Sequence, residues 1–305
     1  MVLSSKEIEF LNSRIKIRRD DFLEITSRIS PKRRERHIFR YAEKGEKGIC
    51  IFCKENLRRY VKIEINGKIY RRGESIIFYN KYPFASHHLV GLLCEKHNLE
   101  MSEFSKEMFE NLLLLTREYY KDEGLDNFYV YFNMNFSPEA GASQQHPHVQ
   151  IYIEDAKSTL HRTIEKNKNL FAMWLEQHKE KGLLINKKDI KYIFNYAPLG
   201  NNNITIHLPF SSSKEMLRLK SIKLLSNGII NIIHLYDTLN ERCFNFSIFP
   251  TKIGTFGFFI TRNQARERYV NDRGFMETIL REIVVNTDPK EISKAFNSFL
   301  REHEA

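Results

Sequence analysis

Long apolar runs are missing from this 305-residue chain: none approaches the roughly 18 residues of a membrane span. Glu7 and Glu9 stand where a signal peptide needs an apolar core, so secretion is not expected. Cysteine is scarce, four in all, too few for a disulfide framework in a chain this long. A reducing cytoplasm is the expected setting. Low-complexity segments and short-period repeats are also absent. What is present is a globular composition, 42% hydrophobic and 28% charged, with enough length for two ordinary units or one large one. Forty-eight Lys and Arg against 38 Asp and Glu give a net charge of +10 and a pI near 9.3. That balance favours anionic partners such as phosphates, nucleotides or nucleic acid and leaves the fold open.

The first 48 residues are highly charged, with a basic cluster from Arg28 to Arg40. They read as a solvated surface segment, with phosphate binding as the alternative. Strand signals begin at Val61–Ile65 and Lys68–Arg71, which flank Asn66-Gly67, the dipeptide of a tight hairpin turn. Ser75–Tyr79 and His88–Leu93 form a second strand pair around Tyr82-Pro83. Met101, Phe104, Met108, Leu112, Leu115 and Tyr119 recur at three and four, one stripe of an amphipathic helix that Gly124 stops. Further strands are expected at Phe128–Phe132 and His148–Ile153 around a Ser137–Ala142 loop, then a helix over 156–180. The second half repeats the plan less clearly. Its strands fall at Lys191–Tyr196, Asn203–Leu208, Cys243–Phe249 and Phe256–Ile260, with a helix near 213–239 and a last one capped by Asp288-Pro289. Strand clusters with helices between them predict an α+β fold on antiparallel sheet.

The stretch richest in chemistry runs from Gly141 through Ser143 to His146-Pro147-His148-Val149-Gln150. On a strand, His146, His148 and Gln150 share one face while Pro147, Val149 and Ile151 pack behind. Two imidazoles and an amide are poor core material, because their polar atoms need partners. The bland alternative is a pair of surface histidines on an exposed strand. Pro147 demands a strand start or an edge, which places the pair at an accessible sheet margin.

Cys50-Ile-Phe-Cys53 is either a redox pair, half of a zinc site or two inert thiols. It follows a charged loop and precedes a hairpin, unlike the βαβ setting of a thioredoxin motif. A zinc site needs two further ligands, and Cys94, His87, His88, His97 and His146 all qualify by type. Asn80-Lys-Tyr-Pro83, followed by His87-His88-Leu-Val, reads alone as strand, turn and strand with a satisfied histidine pair.

Taken in order, Cys-x-x-Cys, Asn-x-x-Pro with His-x-Val, and Gly-x-Ser-x-x-His-Pro-His-x-Gln resemble the histidine-triad (HIT) superfamily. The nearest branch is similar to the galactose-1-phosphate uridylyltransferases and their nucleotide-sugar and dinucleoside-polyphosphate phosphorylase relatives. The resemblance is good over about 25–155 and weak beyond. It implies tandem HIT-like halves that share a largely antiparallel sheet with flanking helices, residues 1–180 carrying zinc and the catalytic motif and 181–305 a degenerate copy. It implies that His148 is a nucleophile that accepts a nucleoside monophosphate as a phosphoramidate, and that Gln150 holds the phosphoryl oxygen. Ser143 and the Gly141 backbone would cradle phosphates, and Asn80 and Asn135 would contact the nucleotide. Cys50, Cys53, His97 and His146 match the four ligands of one structural zinc, with Cys94 in reserve. The implied activity is nucleotidylyl transfer between a nucleotide sugar and a sugar 1-phosphate, within carbohydrate metabolism. Nucleic acid and membrane are not expected partners, and the family pattern leaves room for a homodimer.

Three departures stand out. Val149 replaces the usual glycine of the uridylyltransferases, which opens the sugar chemistry to other substrates. Cys243-Phe-Asn245-Phe-Ser247-Ile-Phe-Pro250 reads as the second half's degenerate copy of the histidine strand, so no second metal or nucleophile is expected there. Gly274-Phe-Met-Glu277 resembles the hexose-binding segment only loosely, leaving Glu277 between a sugar contact and an exposed helix-end carboxylate. The rival functions are a phosphorylase or hydrolase acting on a nucleotide, an idle nucleotide- or RNA-binding module, and a zinc-stabilised interaction protein.

Overall fold

A computed structural model describes residues 3–20, 25–30, 32, 49–262, 274, 276–280, 282–283 and 285–303. Most of the Arg28–Arg40 cluster, and Phe275, lie outside them. The first segment is more ordered than its charge suggests. Strands β1 (Leu3–Phe10), β2 (Ser13–Asp20) and β3 (Ile25–Ile29) form a three-stranded antiparallel sheet. Leu11 and Asn12, both at positive φ (49° and 57°), make the β1–β2 turn, and Ile15 and Ile17 are buried. Alternating charged residues hide this pattern, because Ile15 and Ile17 face inward beside Arg14 and Lys16, which face the other way. Arg28 likewise is not simply solvated. Its guanidinium pairs with the buried Glu154 and donates to the Phe84 carbonyl at 2.9 Å.

The main sheet has ten strands. In the first half these are β4 (Tyr70–Arg72), β5 (Ser75–Tyr79), β6 (His87–Leu92), β7 (Tyr129–Phe136) and β8 (His148–Glu154). In the second they are β9 (Leu184–Lys187), β10 (Ile190–Phe194), β11 (Asn201–Leu208), β12 (Phe244–Thr251) and β13 (Gly254–Thr261). The order is β4-β5-β6-β8-β7-β12-β13-β11-β10-β9, antiparallel at every step. From each outer edge inward, the two halves therefore run through the same succession of strands and meet at the β7–β12 seam.

Helices follow the apolar periodicity. Between the edge strands and the seam, α2 (Lys106–Asp122) and α6 (Leu219–Thr238) cover one face of the sheet. Beneath them lie Val149, Ile151 and Ile153 of β8 with Phe132, Phe244, Phe246 and Phe259. Ser105 caps α2 by accepting from Met108 N–H, and Met101 belongs to a separate 3-10 turn. The helix expected over 156–180 divides into α3 (Thr159–Lys166) and α4 (Phe171–Glu180), joined by a 3-10 turn at Lys168–Leu170. A short α5 (Ser213–Met216) precedes α6. The last helix, α7 (Pro289–Glu302), starts as expected, with Asp288 accepting from Lys290 N–H.

Three local expectations need correction. The Cys-x-x-Cys motif leads into a helix, α1 (Lys54–Tyr60), with Cys53 at its N-cap. Of the predicted Val61–Ile65 strand, only the Ile65–Lys68 bridge forms around Asn66-Gly67, and Val61 is the C-cap of α1. Pro147 does precede a strand, but that strand is interior, between β6 and β7. Proline is tolerated there because it stands outside the ladder, which begins at His148. Among the described residues, no helix is long and apolar enough to cross a membrane.

Candidate active site

The sheet face opposite α2 and α6 carries the chemistry. Strand alternation turns His148, Gln150 and Tyr152 of β8 to this face, alongside Asn133 and Asn135 of β7 and Asn245 and Ser247 of β12. Valine at position 149 has a steric explanation: a Cβ at Gly91 on the adjacent strand would stand 2.9 Å from its Cγ2. The slot that glycine opens on β6 is filled by valine on β8.

Just before β8 the chain bends, and His146 reaches the Cys-x-x-Cys turn. Ligand atoms of Cys50, Cys53, His97 and His146 all lie within 4.8 Å of one another. Cys53 Sγ is 3.3 Å from His97 Nδ1 and 4.0 Å from His146 Nδ1. His146 is fully buried, and its Nε2–H donates to the Cys94 carbonyl at 2.9 Å. That bond fixes the tautomer, so the lone pair of Nδ1 faces the sulfurs. Two thiols and two imidazoles form a donor set suited to a tetrahedral metal. Such a site has ligand–ligand edges of about 3.3–3.8 Å, so the cluster needs only slight contraction. Burial, with Cys50 next to it, pushes the Cys53 thiol up to about 12. Burial also holds His146 below its usual value. A cation among these groups reverses that preference by stabilising thiolate.

The other candidate ligands are engaged elsewhere. Cys94 contributes its carbonyl, not its thiol, to the cluster. His87 Nδ1 is 2.7 Å from the Tyr119 hydroxyl. His88, fully buried, accepts from Phe84 N–H at Nδ1 (3.3 Å) and so donates from Nε2 to Gln150 Oε1 at 3.2 Å.

His148 stands beside the cluster. Its Nδ1–H donates to the His146 carbonyl at 2.9 Å, which places the ring's lone pair on Nε2. The Phe52 ring, from within the cysteine turn, packs edge-on against His148 at 5.3 Å and contacts His146 at 6.3 Å. The cysteine turn thus supports both histidines.

Gly141, at φ 88°, ends the 3-10 turn Pro138–Ala140 beside Ser143, which is half-buried in the bend ahead of β8. An added Cβ there would approach Asn135 Nδ2 at 3.9 Å. The Asn135 carbonyl accepts from Asn245 Nδ2 at 2.7 Å, which directs its amide nitrogen away from the seam. Asn245 Nδ2 also donates to the Ala140 carbonyl, and Asn245 Oδ1 accepts from Arg262. Asn80 Oδ1 accepts from Tyr82 N–H at 2.8 Å, shaping the Asn-x-x-Pro loop. Glu277 accepts from Gly274 N–H within its own turn.

Four contributors escape a linear reading: His88 as the partner of Gln150, Asn133, Arg262, and the Arg28–Glu154 pair. Asn133 alone carried a signal, since it shares strand parity with Asn135; its Nδ2 donates to the Gln150 carbonyl and its Oδ1 accepts from Ser247. The second-half counterpart of β8 also needs correction. Strand order makes it β13, not the β12 stretch Cys243–Pro250. On the same face as His148, β13 presents Phe256, Phe258 and Ile260.

Comparison with known proteins agrees with this architecture. Residues 41–155 match the family model described as the N-terminal domain of a domain of unknown function, DUF4931. An uncharacterized protein of Archaeoglobus fulgidus is 28% identical over 213 residues, covering 66% of this chain and 64% of that protein's length. A solved uridylyltransferase superposes with a TM-score of 0.67 at 16% identity, over 94% of this chain and 98% of the other. An ADP-glucose phosphorylase from Arabidopsis thaliana, with bound ADP-glucose, superposes at 0.63 and 16% identity, over 92% and 98%. The chain therefore has the α+β fold of the solved uridylyltransferase and ADP-glucose phosphorylase structures.

Proposed function

We propose that the protein is a nucleotidylyl-transferring enzyme that works through a covalent nucleotidyl-histidine at His148. The observation that carries this reading is the His148 tautomer, held by the His146 carbonyl with its Nε2 lone pair on the polar sheet face. A neutral imidazole is a competent nucleophile near pH 7. In the first step Nε2 attacks the α-phosphorus of a nucleotide sugar, a P–N bond forms, and the P–O bond to the sugar phosphate breaks. In the second, an acceptor phosphate oxygen attacks the same phosphorus and the P–N bond breaks.

Phosphoryl-type transfer depends mainly on positioning and charge stabilisation. Gln150, its Oε1 held by His88, offers its amide N–H groups to the phosphoryl oxygens, and Ser143 with the Gly141 backbone supplies further donors. Asn80 and Asn135 contact the nucleoside. Cys50, Cys53, His97 and His146 hold one zinc, which fixes the bend leading into β8 and leaves the chemistry to His148. Residues 1–180 carry this machinery and 181–305 the degenerate copy.

The acceptor is a sugar 1-phosphate, in keeping with the uridylyltransferase pattern of the first half. Inorganic phosphate is the second reading, because the fold is shared about as closely with an ADP-glucose phosphorylase.

The test is incubation with UDP-glucose, ADP-glucose and related donors, without acceptor, followed by mass analysis of the chain. One nucleoside monophosphate should appear on His148, acid-labile and alkali-stable. His148→Asn should abolish the adduct while the protein stays folded. Adding either a sugar 1-phosphate or inorganic phosphate to the adduct identifies the acceptor. Full turnover in folded His148→Asn protein would refute covalent catalysis.

A further inference from the structure

The two halves match more closely than their motifs suggest. In the ladders, Tyr70 faces Ile77 and Ile76 faces Leu92; 115 residues later, Ile185 faces Tyr192 and Lys191 faces His207. The same offset takes Asn80 to Asn195, Pro83 to Pro198 and His88 to Asn203. Both halves therefore follow their second strand with Asn-x-x-Pro. One hydrogen bond is also kept: Phe84 N–H donates to His88 Nδ1, and Leu199 N–H donates to Asn203 Oδ1 at 2.9 Å. Register further equates the two phosphoryl positions. Leu92 faces His148 and Val90 faces Gln150; their counterparts His207 and Thr205 face Phe256 and Phe258.

The second half has thus closed its phosphoryl end. Phe171, His207 and Phe256 pack ring to ring there, with centroids 4.8 to 5.7 Å apart. The Asn-x-x-Pro end remains open. A groove of about 480 Å³ lies between α4 and this loop, lined by Trp174, Gln177, His178, Lys181, Asn195 and Tyr196 among others. Its walls are well fixed. His178 donates from Nδ1 to the Trp174 carbonyl at 2.7 Å and accepts from Tyr196 N–H at Nε2. Asn195 is 8% exposed, and its Oδ1 is buried with no hydrogen-bond partner among the described residues. An orphaned buried acceptor costs about 1–3 kcal/mol. Asn195 is itself part of the groove lining, and χ2 of an amide side chain is a soft torsion. A small rotation would bring the amide to a ligand that donates to it.

We propose that this groove is a second, non-catalytic site for a nucleoside. The base would lie against Trp174 and Tyr196, and its N–H or exocyclic amine would donate to Asn195. Aromatic side chains accept any base face, and stacking of this kind is a strong source of binding. An unpaired carbonyl in the groove lining adds selectivity for a ring bearing a donor. The choice of a nucleoside over another donor-bearing ring rests on the proposed nucleotide contact of Asn80, whose counterpart is Asn195.

Trp174 is the only tryptophan in the chain, so its fluorescence reports on this groove. The full-length protein is titrated with adenosine and with uridine, which carry no phosphate to transfer. A saturable change in Trp174 emission is expected with at least one of them. Asn195→Ala should weaken that binding about tenfold. Tyr196→Ala, at a side chain 66% exposed and so harmless to folding, should weaken it as well. Asn80→Ala should leave the response intact. No response to either nucleoside, an unaltered affinity in Tyr196→Ala, or loss of the response in Asn80→Ala would overturn the proposal. Nucleotide labelling of His148 is measured in parallel, so that failure of the catalytic reading is distinguished from failure of this site.

Discussion

His88 donates from Nε2 to the Oε1 of Gln150 at 3.2 Å, across adjacent strands and from a fully buried position. Gln150 alone could present either end of its amide to a phosphoryl group. With Oε1 occupied, the nitrogen end is the one available for donation. His88→Ala should therefore slow formation of the His148 adduct by about tenfold, the worth of one oriented hydrogen bond. The check is a double-mutant cycle on the single-turnover rate. If His88 acts through Gln150, His88→Ala adds little to Gln150→Ala. A merely structural role would lower the melting temperature and leave the two effects additive.

Metal content should follow the Cys2His2 cluster. Closed four-ligand sites contribute directly to folding free energy. Cys53→Ser and His146→Asn should each lose the metal and lower the melting temperature, with activity falling as a consequence. His148→Asn should keep both metal and melting temperature. Elemental analysis of protein purified without chelator should give one zinc per chain; a value near zero contradicts the zinc assignment.

Arg28 ties the N-terminal sheet to the end of β8 through the nearly inaccessible Glu154 carboxylate. Arg28→Ala leaves that carboxylate buried and unpaired, at a cost of about 3–5 kcal/mol. Burial already raises the Glu154 pKa, while Arg28 pulls it down. Loss of Arg28 raises it further, and a group with a raised folded pKa favours the folded state at low pH. The deficit of the variant should thus shrink as pH falls toward 5. Denaturant melts of wild type and variant at pH 7.5 and 5 provide the measurement.

Acid should destabilise the wild type in two stages. Burial lowers the pKa of His87, His161 and His207 from an ordinary 6.5. Below 6.5 the unfolded chain binds protons that the folded chain resists, so stability falls as pH drops from 6.5 toward the folded values. Glu165 follows at lower pH. Burial would raise its carboxyl, but hydrogen bonds from Lys157, His161 and Lys252 N–H hold it below 4.5. Its contribution is present above 4.5 and disappears as pH falls through the lower folded value. Melting temperature against pH should show both stages, and His161→Gln should flatten the first.

Much of the site was legible along the chain because it is local. Alternation on β8 alone placed His148 and Gln150 opposite Val149 and Ile151. Asn66-Gly67 adopts the positive φ values of a tight turn, 50° and 80°, as its composition required. These features depend on neighbours a few residues away, and steric limits on φ and ψ decide them.

Other features had no local cause. Five residues could have completed the Cys50–Cys53 pair by type; the family resemblance singled out His97 and His146, and the packing of His97 and the β8 bend against the cysteine turn brings those two together. The protonated nitrogens of His146 and His148 were set by two backbone carbonyls, one of them 52 residues away. The charged first segment forms a sheet in which Ile15 and Ile17 find a buried face, which charge density along the sequence obscures. The pairing of the halves at an offset of 115 residues lies in ladder register, where diverged side chains leave little trace. Sequence determined which groups were present and which way each strand turned them. Tertiary structure decided which distant groups met, since burial and hydrogen bonding between remote segments select one set of neighbours among several that local geometry allows equally.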